Sequence, residues 1–252
     1  MARSLIAAHR GGALEWVENS PTAFRNAAGL AVEQVEFDIH PTADREIVVI
    51  HDAMLDRTAE ATGKVVAHSL AELKRIGLKG TEGEHMLTLA ELVAMFRPSG
   101  KTLRMEVKYD ADHRPYPGLL ARAVALLDRM DARDRTVVTS FIAETAGAAA
   151  AMQGLAGAIW LVAPSVQQDI GTSGIAAVAR GLGLSAVGIR ISHLDAAVMD
   201  GLRGLAVGAW AVNEEADIRK ALGLGVAVFT TDRPSLAVAL RQAAGQSMIG
   251  SS

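Results

Sequence analysis

Apolar residues along this chain fall in short runs of strand length, separated by stretches that repeat at helical spacing. Leu5–Ala8, Val35–Ile39, Leu103–Val107, Thr136–Ser140, Ala158–Val162, Ala186–Ile189, Val207–Val212 and Val226–Thr230 read as strands, with Ile47–Ile50 continuing the second. Helices fall between them. Ser20-Pro21 opens one, with serine as the cap and proline at the first helical position, and that helix ends near Gly29. Thr88-Leu89-Ala90-Glu91 opens another with a capping-box pattern. Pro117–Met130, Glu144–Gln153, Gly174–Gly181, Leu194–Gly201, Glu214–Leu222 and Ser235–Ala243 read as further helices. Strands alternating with helices imply parallel pairing, and eight such units in 252 residues predict a closed (β/α)8 TIM barrel. A doubly wound open sheet is the structural alternative. No linker divides the chain, so residues 1–252 are expected to form one domain. The segment 52–85 breaks the rhythm: it holds a short helix at Ser69–Ile76 and the Gly-rich Gly80–His85, and reads as a short insertion after strand 2. Gln242–Ser252 reads as a frayed tail.

The second strand carries an oddity. Glu36, Asp38 and His40 alternate with Phe37 and Ile39, and alternate strand residues share a face. A solvated edge strand explains two carboxylates on one face, if they stand alone. They do not. A barrel of this type keeps its active site at the C-terminal ends of its strands. There the chain places His9-Arg10-Gly11-Gly12, His51-Asp52, Glu106 and Lys108 on one face, Ser140-Phe141, Trp210 to Asn213, and Thr230-Thr231-Asp232. Glu36, Asp38 and Glu106, from adjacent strands, form an oxygen-rich set that suits a hard cation, Mg²⁺ or Ca²⁺. His9 and His51 are acid/base candidates, and Arg10 and Lys108 are fixed cations beside them. A metal, two cations and a histidine pair describe a phosphoryl site.

Composition narrows the picture further. Half the residues are hydrophobic and only 4% aromatic, so the core is built from small aliphatic side chains, as in helices packed on a buried sheet. The formal net charge of -3 gives no electrostatic reason to bind nucleic acid or an anionic membrane. With no cysteine, disulfides and thiolate metal sites are excluded. The N-terminal apolar stretch is too short for a signal peptide, and no run of about 18 apolar residues predicts a membrane span. A cytoplasmic location is the expectation.

In order and spacing, these residues resemble the bacterial glycerophosphodiester phosphodiesterases. The resemblance rests on His9-Arg10-Gly11, Glu18-Asn19-Ser20 with Phe24, Glu36-x-Asp38, His51-Asp52 after a 13-residue step, Glu106-x-Lys108, Trp210-x-x-Asn213 and Thr231-Asp232-Arg233-Pro234. It runs over nearly the whole chain. It implies a (β/α)8 barrel with one divalent metal that hydrolyses small-molecule glycerophosphodiesters to glycerol 3-phosphate and an alcohol. By position it makes Glu36, Asp38 and Glu106 the metal ligands, His9 and His51 the acid/base pair, and Arg10 and Lys108 the holders of phosphate oxygens. The chemistry expected is proton transfer by the histidine pair, through a cyclic phosphate or by direct attack of water. Trp210 is either core or an apolar wall for the glycerol or alcohol, and Trp160 is a further pocket candidate. Asn213 is either a helix cap before Glu214 or a ligand contact. Glu18 and Asp52 stand behind the site, His40 is structural or solvated, and His68, His85, His113 and His193 lie on the surface.

Two departures stand out: Asp44-Arg45 where the family often has Asp-Gly, and Glu18-Asn19-Ser20 for the commoner Glu-Asn-Thr. Two other functions compete. A phospholipase D-like diesterase or lyase acting on lipid wants an aromatic rim, and this chain has few aromatics to spare. A non-catalytic phosphate- or polyol-binding barrel is expected to lose a ligand or a histidine, and here all are present. No motif reads the alcohol.

Overall fold

The structure, a computed structural model, describes residues 4–249, with side chains described through residue 244. Eight strands pair in parallel: β1 (Leu5–Ala8), β2 (Gln34–Pro41), β4 (Thr102–Val107), β5 (Thr136–Ser140), β6 (Gly157–Val162), β7 (Ala186–Arg190), β8 (Ala206–Trp210) and β9 (Val228–Thr231). Their order is β1-β9-β8-β7-β6-β5-β4-β2, and β1 pairs back onto β2, so the sheet closes into a TIM barrel. The open-sheet alternative is thereby excluded. β3 (Ile47–Val49) is not a continuation of β2 but an antiparallel partner, with Ile39 opposite Val49. The turn between them is held by Thr42 and Asp44 side chains. Arg45 there adopts φ 65, the left-handed conformation that glycine takes freely. An arginine sustains it at a cost of about 1–2 kcal/mol, so the Asp-Arg departure leaves the turn intact.

Capping fixes the helices around the barrel. Ser20 Oγ accepts from the Ala23 amide at the start of α1 (Pro21–Gly29). A short α2 (Leu70–Leu73) and α3 (Leu89–Phe96) each carry a full capping box, Ser69 with Glu72 and Thr88 with Glu91. α4 (Leu119–Arg129), α5 (Ala143–Ala150), α6 (Pro164–Gly181), α7 (Ala196–Gly201), α8 (Glu215–Leu224) and α9 (Pro234–Ile249) complete the ring. Of the boundaries that differ from expectation, three are the largest or lie at the barrel mouth. α6 starts at Pro164, not Gly174, because proline opens it and Gly171 (φ 62) merely kinks it. β8 stops at Trp210, not Val212, because Ala211 turns to φ 59. α9 continues to Ile249 where a frayed tail was expected; Met1–Arg3 and Gly250–Ser252 lie outside the described residues.

The main core lies between barrel and helices, where Phe24 meets Phe37 and Phe96 edge-on at 6.5 and 6.0 Å between ring centres. Inside the barrel the side chains divide by sector. Val137, Ile159 and Leu161 form an apolar cluster on β5 and β6. β2 and β4 instead send in buried Gln34, Glu36, Asp38, Arg104, Glu106 and Lys108. The insertion after strand 2 packs its own satellite core of Leu55, Ala59, Val65, Leu73, Leu78 and Met86 against Val48 and Ile50. Among the described residues no helix is long and apolar enough to cross a membrane.

Candidate active site

Parallel register sets the site. Glu36 pairs with Arg104 and Asp38 with Glu106 across β2 and β4, so the three carboxylates meet at the barrel mouth. One oxygen from each of Glu36, Asp38 and Glu106 lies within 4.8 Å of the others, and all three residues are buried, so the solvated-strand reading of Glu36 and Asp38 is wrong. Glu36 Oε1 and Asp38 Oδ1 have no hydrogen-bond partner. Burying like charges this closely is costly: burial and then the Asp38 charge push the Glu36 carboxyl well above the usual range. Asp38 goes the other way. Burial opposes its ionisation, but Lys108, His51 and Arg10 outweigh it and hold the carboxyl well below the usual range. Orphaned carboxylate oxygens, an all-oxygen donor set and concentrated negative charge fit a hard divalent cation.

Lys108 lies beneath this cluster. Its Nζ donates to Glu106 Oε1 at 2.7 Å, contacts His51 Nε2 at 3.0 Å and stands 3.6 Å from Asp38. Arg10 reaches Asp38 at 3.5 Å and Glu18 at 3.1 Å, and its backbone amide donates to Glu36 at 3.0 Å. That backbone geometry needs Arg10 at φ 51 followed by Gly11 at φ 83. A Cβ on Gly11 would sit 2.8 Å from the Ala23 Cβ, so α1 packs this turn into place.

Each histidine is backed by a carboxylate. His9 Nδ1 lies 2.5 Å from Asp232, with Nε2 facing Glu36 at 3.8 Å. Burial depresses the His9 pKa, but Glu36 and Asp232 outweigh it and the net shift is upward. His51 Nδ1 lies 2.5 Å from Asp52, whose pKa is lowered to about 2: burial opposes, and Arg57 and His51 prevail. Asn213 is neither a helix cap nor a cavity residue. It donates to Asp232 and accepts from the Asp232 amide, fixing the carboxylate that fixes His9.

A cavity of about 260 Å³ opens among these groups, lined on one side by His9, Arg10, Glu36, His51, Arg104 and Glu106, and on the other by Phe141, Leu161 and Trp210. Asp38 and Lys108 stand behind that wall. Trp210 lines the cavity, whereas Trp160 packs in the core and only its indole N–H reaches the Phe141 carbonyl. His40 is buried, with Nε2 on the His51 carbonyl and Nδ1 on the Tyr116 hydroxyl, so it is structural and not solvated. His85 and His113 are exposed; His68 and His193 are half-buried.

Four further residues belong to the site, two of them, Asp232 and Asn19, present in the sequence motifs without a role, and two, Arg57 and Arg104, outside them. Asp232 was visible only as part of a motif, although a carboxylate ending a strand opposite His9 mirrors His51-Asp52. Asn19 donates to Asp38 at 3.0 Å. Arg57, in the insertion, binds Glu18 with two nitrogens and Asp52 with the third. Arg104 shares the strand face of Glu106 and Lys108, an alternation that the sequence does display. It is buried at the cavity floor, and desolvation lowers its pKa to about 10 despite Glu36 and Glu106.

Carboxylates that attract a cation, cations that attract an anion and histidines set between them define the class, an enzyme of phosphate ester chemistry. Residues 9–236 match the glycerophosphoryl diester phosphodiesterase family, and the chain belongs to that family. A solved structure from Agrobacterium tumefaciens, assigned to the glycerophosphoryl diester phosphodiesterases, superposes with a TM-score of 0.95 at 39% identity, over 97% of this chain and 100% of that one. The glycerophosphodiester phosphodiesterase of Caldanaerobacter subterraneus is 31% identical over 144 residues, 55% of this chain and 58% of its own length. That of Bacillus altitudinis is 26% identical over 250 residues, 94% of this chain and 98% of its own. An Oleispira antarctica phosphodiesterase, solved with its product sn-glycerol 3-phosphate, shares the fold with a TM-score of 0.79 at 24% identity, over 94% of this chain and 96% of that one.

Proposed function

We propose that this protein hydrolyses glycerophosphodiesters to sn-glycerol 3-phosphate and an alcohol, with one divalent cation, Mg²⁺ or Ca²⁺, held by Glu36, Asp38 and Glu106. The observation that carries the reading is the buried carboxylate trio, with two oxygens that accept no hydrogen bond, set between two carboxylate-backed histidines at one cavity. The product bound by the Oleispira relative supports the substrate class. When bound, the ion supplies Lewis acidity and neutralises phosphate charge. The chain's own residues do the rest.

Arg10, on the cavity wall, and Lys108, behind Glu106, hold the phosphate oxygens. Trp210 and Phe141 form the apolar wall. His51 Nε2 accepts from the Lys108 ammonium, so its proton is on Nδ1, toward Asp52. A neutral imidazole with an accepting Nε2 is a base. As Lys108 turns to a phosphate oxygen, that lone pair is free to take a proton. His9 donates from Nδ1 to Asp232, whose charge favours the protonated form, and it serves as the acid. His51 removes the proton from the attacking hydroxyl, either the neighbouring glycerol hydroxyl or water. The new P–O bond forms, the ester bond to the alcohol breaks, and the departing oxygen takes the His9 proton. If the glycerol hydroxyl attacks, a cyclic phosphate results, and water opens it with the two roles reversed.

The test is turnover of sn-glycero-3-phosphoglycerol after EDTA treatment, with Mg²⁺, Mn²⁺ or Ca²⁺ restored singly and glycerol 3-phosphate detected by a coupled assay. Metal-dependent release is expected. No release from any glycerophosphodiester with any of these ions contradicts the proposal. A glycerophosphodiester with a p-nitrophenol leaving group separates the histidines, since a good leaving group needs no acid: it restores p-nitrophenol release to His9→Ala and not to His51→Ala.

A further inference from the structure

The substrate reading leaves the alcohol undefined, and the far side of the cavity bears on it. Strand alternation places Gly188 and Arg190 on one face of β7, and Gly208 and Trp210 on the same face of β8. The two strands pair Gly188 with Gly208 and Arg190 with Trp210. A Cβ on Gly188 would lie 2.7 Å from Leu161 Cδ2, so glycine there is what lets Leu161 lean into the barrel and line the cavity. Above it, Phe141 meets the Trp210 ring edge-on at 5.4 Å between ring centres. The Arg190 guanidinium lies 5.5 Å from the centre of the same ring. Arg190 is exposed, and among the described residues its side chain makes no ion pair and no hydrogen bond; the indole is its only partner.

We propose that Arg190, seated on Trp210, selects the alcohol: neutral polyol and anionic leaving groups are accepted, and quaternary ammonium alcohols are disfavoured. The inference rests on the glycerophosphodiester reading of the same cavity. Cationic head groups are recognised by open aromatic faces. Here the ring that lines the cavity already carries a protein cation, so a trimethylammonium group meets an occupied aromatic surface and a like charge. Nor, among the described residues, does a carboxylate lie within ion-pair distance of Arg190 to offset it. Polyol and anionic alcohols meet the opposite situation, because the guanidinium has five N–H donors and all are uncommitted. Of the acidic groups that line the cavity, Glu36 and Glu106 lie on the other side, on β2 and β4, where the cation and the phosphate are assigned, and Asp232, after β9, is committed to His9 and Asn213. Arg190 therefore acts as a specificity residue at the rim and takes no part in bond making.

The experiment compares kcat/KM for sn-glycero-3-phosphoglycerol, sn-glycero-3-phosphoinositol and sn-glycero-3-phosphocholine in the wild type, Arg190→Met and Arg190→Glu, at low and high salt. Arg190 is exposed, so the variants are expected to fold, and unchanged thermal unfolding checks it. The wild type is expected to favour the glycerol and inositol diesters over the choline diester by roughly tenfold at low salt, less at high salt. Arg190→Glu is expected to raise the choline value and lower the other two, with Arg190→Met between. A purely structural arginine would move all three substrates together. Turnover of all three diesters in a ranking that Arg190→Glu leaves unchanged, or a wild-type preference for the choline diester, overturns this inference while leaving the reaction class standing. No turnover of any of them overturns both.

Discussion

Replacing Asp232 with Asn keeps the shape of the side chain and removes its charge, and the surrounding hydrogen bonds set the cost. Asp232 accepts from His9 Nδ1 at 2.5 Å on one oxygen and from Asn213 Nδ2 at 2.5 Å on the other, while its amide donates to Asn213 Oδ1 at 2.8 Å. An amide at 232 has one acceptor where the native residue has two. If its oxygen faces His9, its NH₂ meets the NH₂ of Asn213, and flipping Asn213 forfeits the bond from the 232 backbone. If its NH₂ faces His9, the imidazole is driven into the tautomer with its proton on Nε2. Either way the charge that stabilises a protonated His9 is gone. A hydrogen bond to a charged group contributes about 1.5–3 kcal/mol, and at about 1.4 kcal/mol per decade this is a loss of about 10- to 150-fold in kcat/KM. Tautomer reversal adds to it. Asp232 raises the His9 pKa, so its removal lowers that pKa, and the limb of the pH profile set by the acid moves to lower pH. The assay is kcat/KM against pH on an alkyl glycerophosphodiester, with divalent ion affinity measured alongside and expected to stay within severalfold of wild type. A variant within twofold of wild type, with both limbs in place, refutes the claim that Asp232 sets the state of His9.

Arg57→Met tests the reach of the insertion. Arg57 holds Glu18 and Asp52 together, and these steady Arg10 and His51, so kcat/KM is expected to fall roughly tenfold while stability changes by less than about 1 kcal/mol, the pair being half-exposed; urea denaturation beside the kinetics separates the two, and a fall in stability alone counts against a positioning role. His40 predicts an acid limb in stability. Burial lowers its pKa from 6.5 to about 4, so its contribution is complete above pH 6.5 and is lost as pH falls through about 4, a difference of ~3 kcal/mol. Urea denaturation of metal-free protein between pH 7 and 4 should show a shallower slope for His40→Gln, and equal slopes would count against the assignment.

How far the sequence discloses this site depends on the range of the signal. Barrel and ligand face follow from local periodicity: Glu36, Asp38, Glu106 and Lys108 are legible because i, i+2 alternation is a property of the strand itself. The turn at Ala211 and the early start of α6 are less so, because a positive φ at alanine and a glycine kink have no strong local signature. The partners of the histidines are non-local. Asp52 is adjacent to His51 and was visible as a neighbour, but Asp232 reaches His9 only because β9 pairs with β1, 223 residues away in sequence. Arg57 is harder still, since its role depends on how a satellite core folds the insertion back over the mouth. Trp160 and Trp210 show the same limit: both end up near β-strand termini, and only the barrel's facing decides that one lines the cavity and the other the core.

The central claim is that the buried carboxylates of β2 and β4 exist to hold a divalent cation. Calorimetric titration of EDTA-stripped protein with Mg²⁺ and Ca²⁺ separately tests it most directly, run in two buffers of different ionisation enthalpy. Because burial and Asp38 raise the Glu36 pKa, metal-free protein carries a proton there at a pH where an ordinary glutamate has none. Binding must expel it, so affinity rises with pH. The account predicts one ion per chain, with proton release seen as a buffer-dependent heat, and loss of binding in Asp38→Asn with the fold retained. No binding of either ion, or binding that survives Asp38→Asn undiminished, contradicts it.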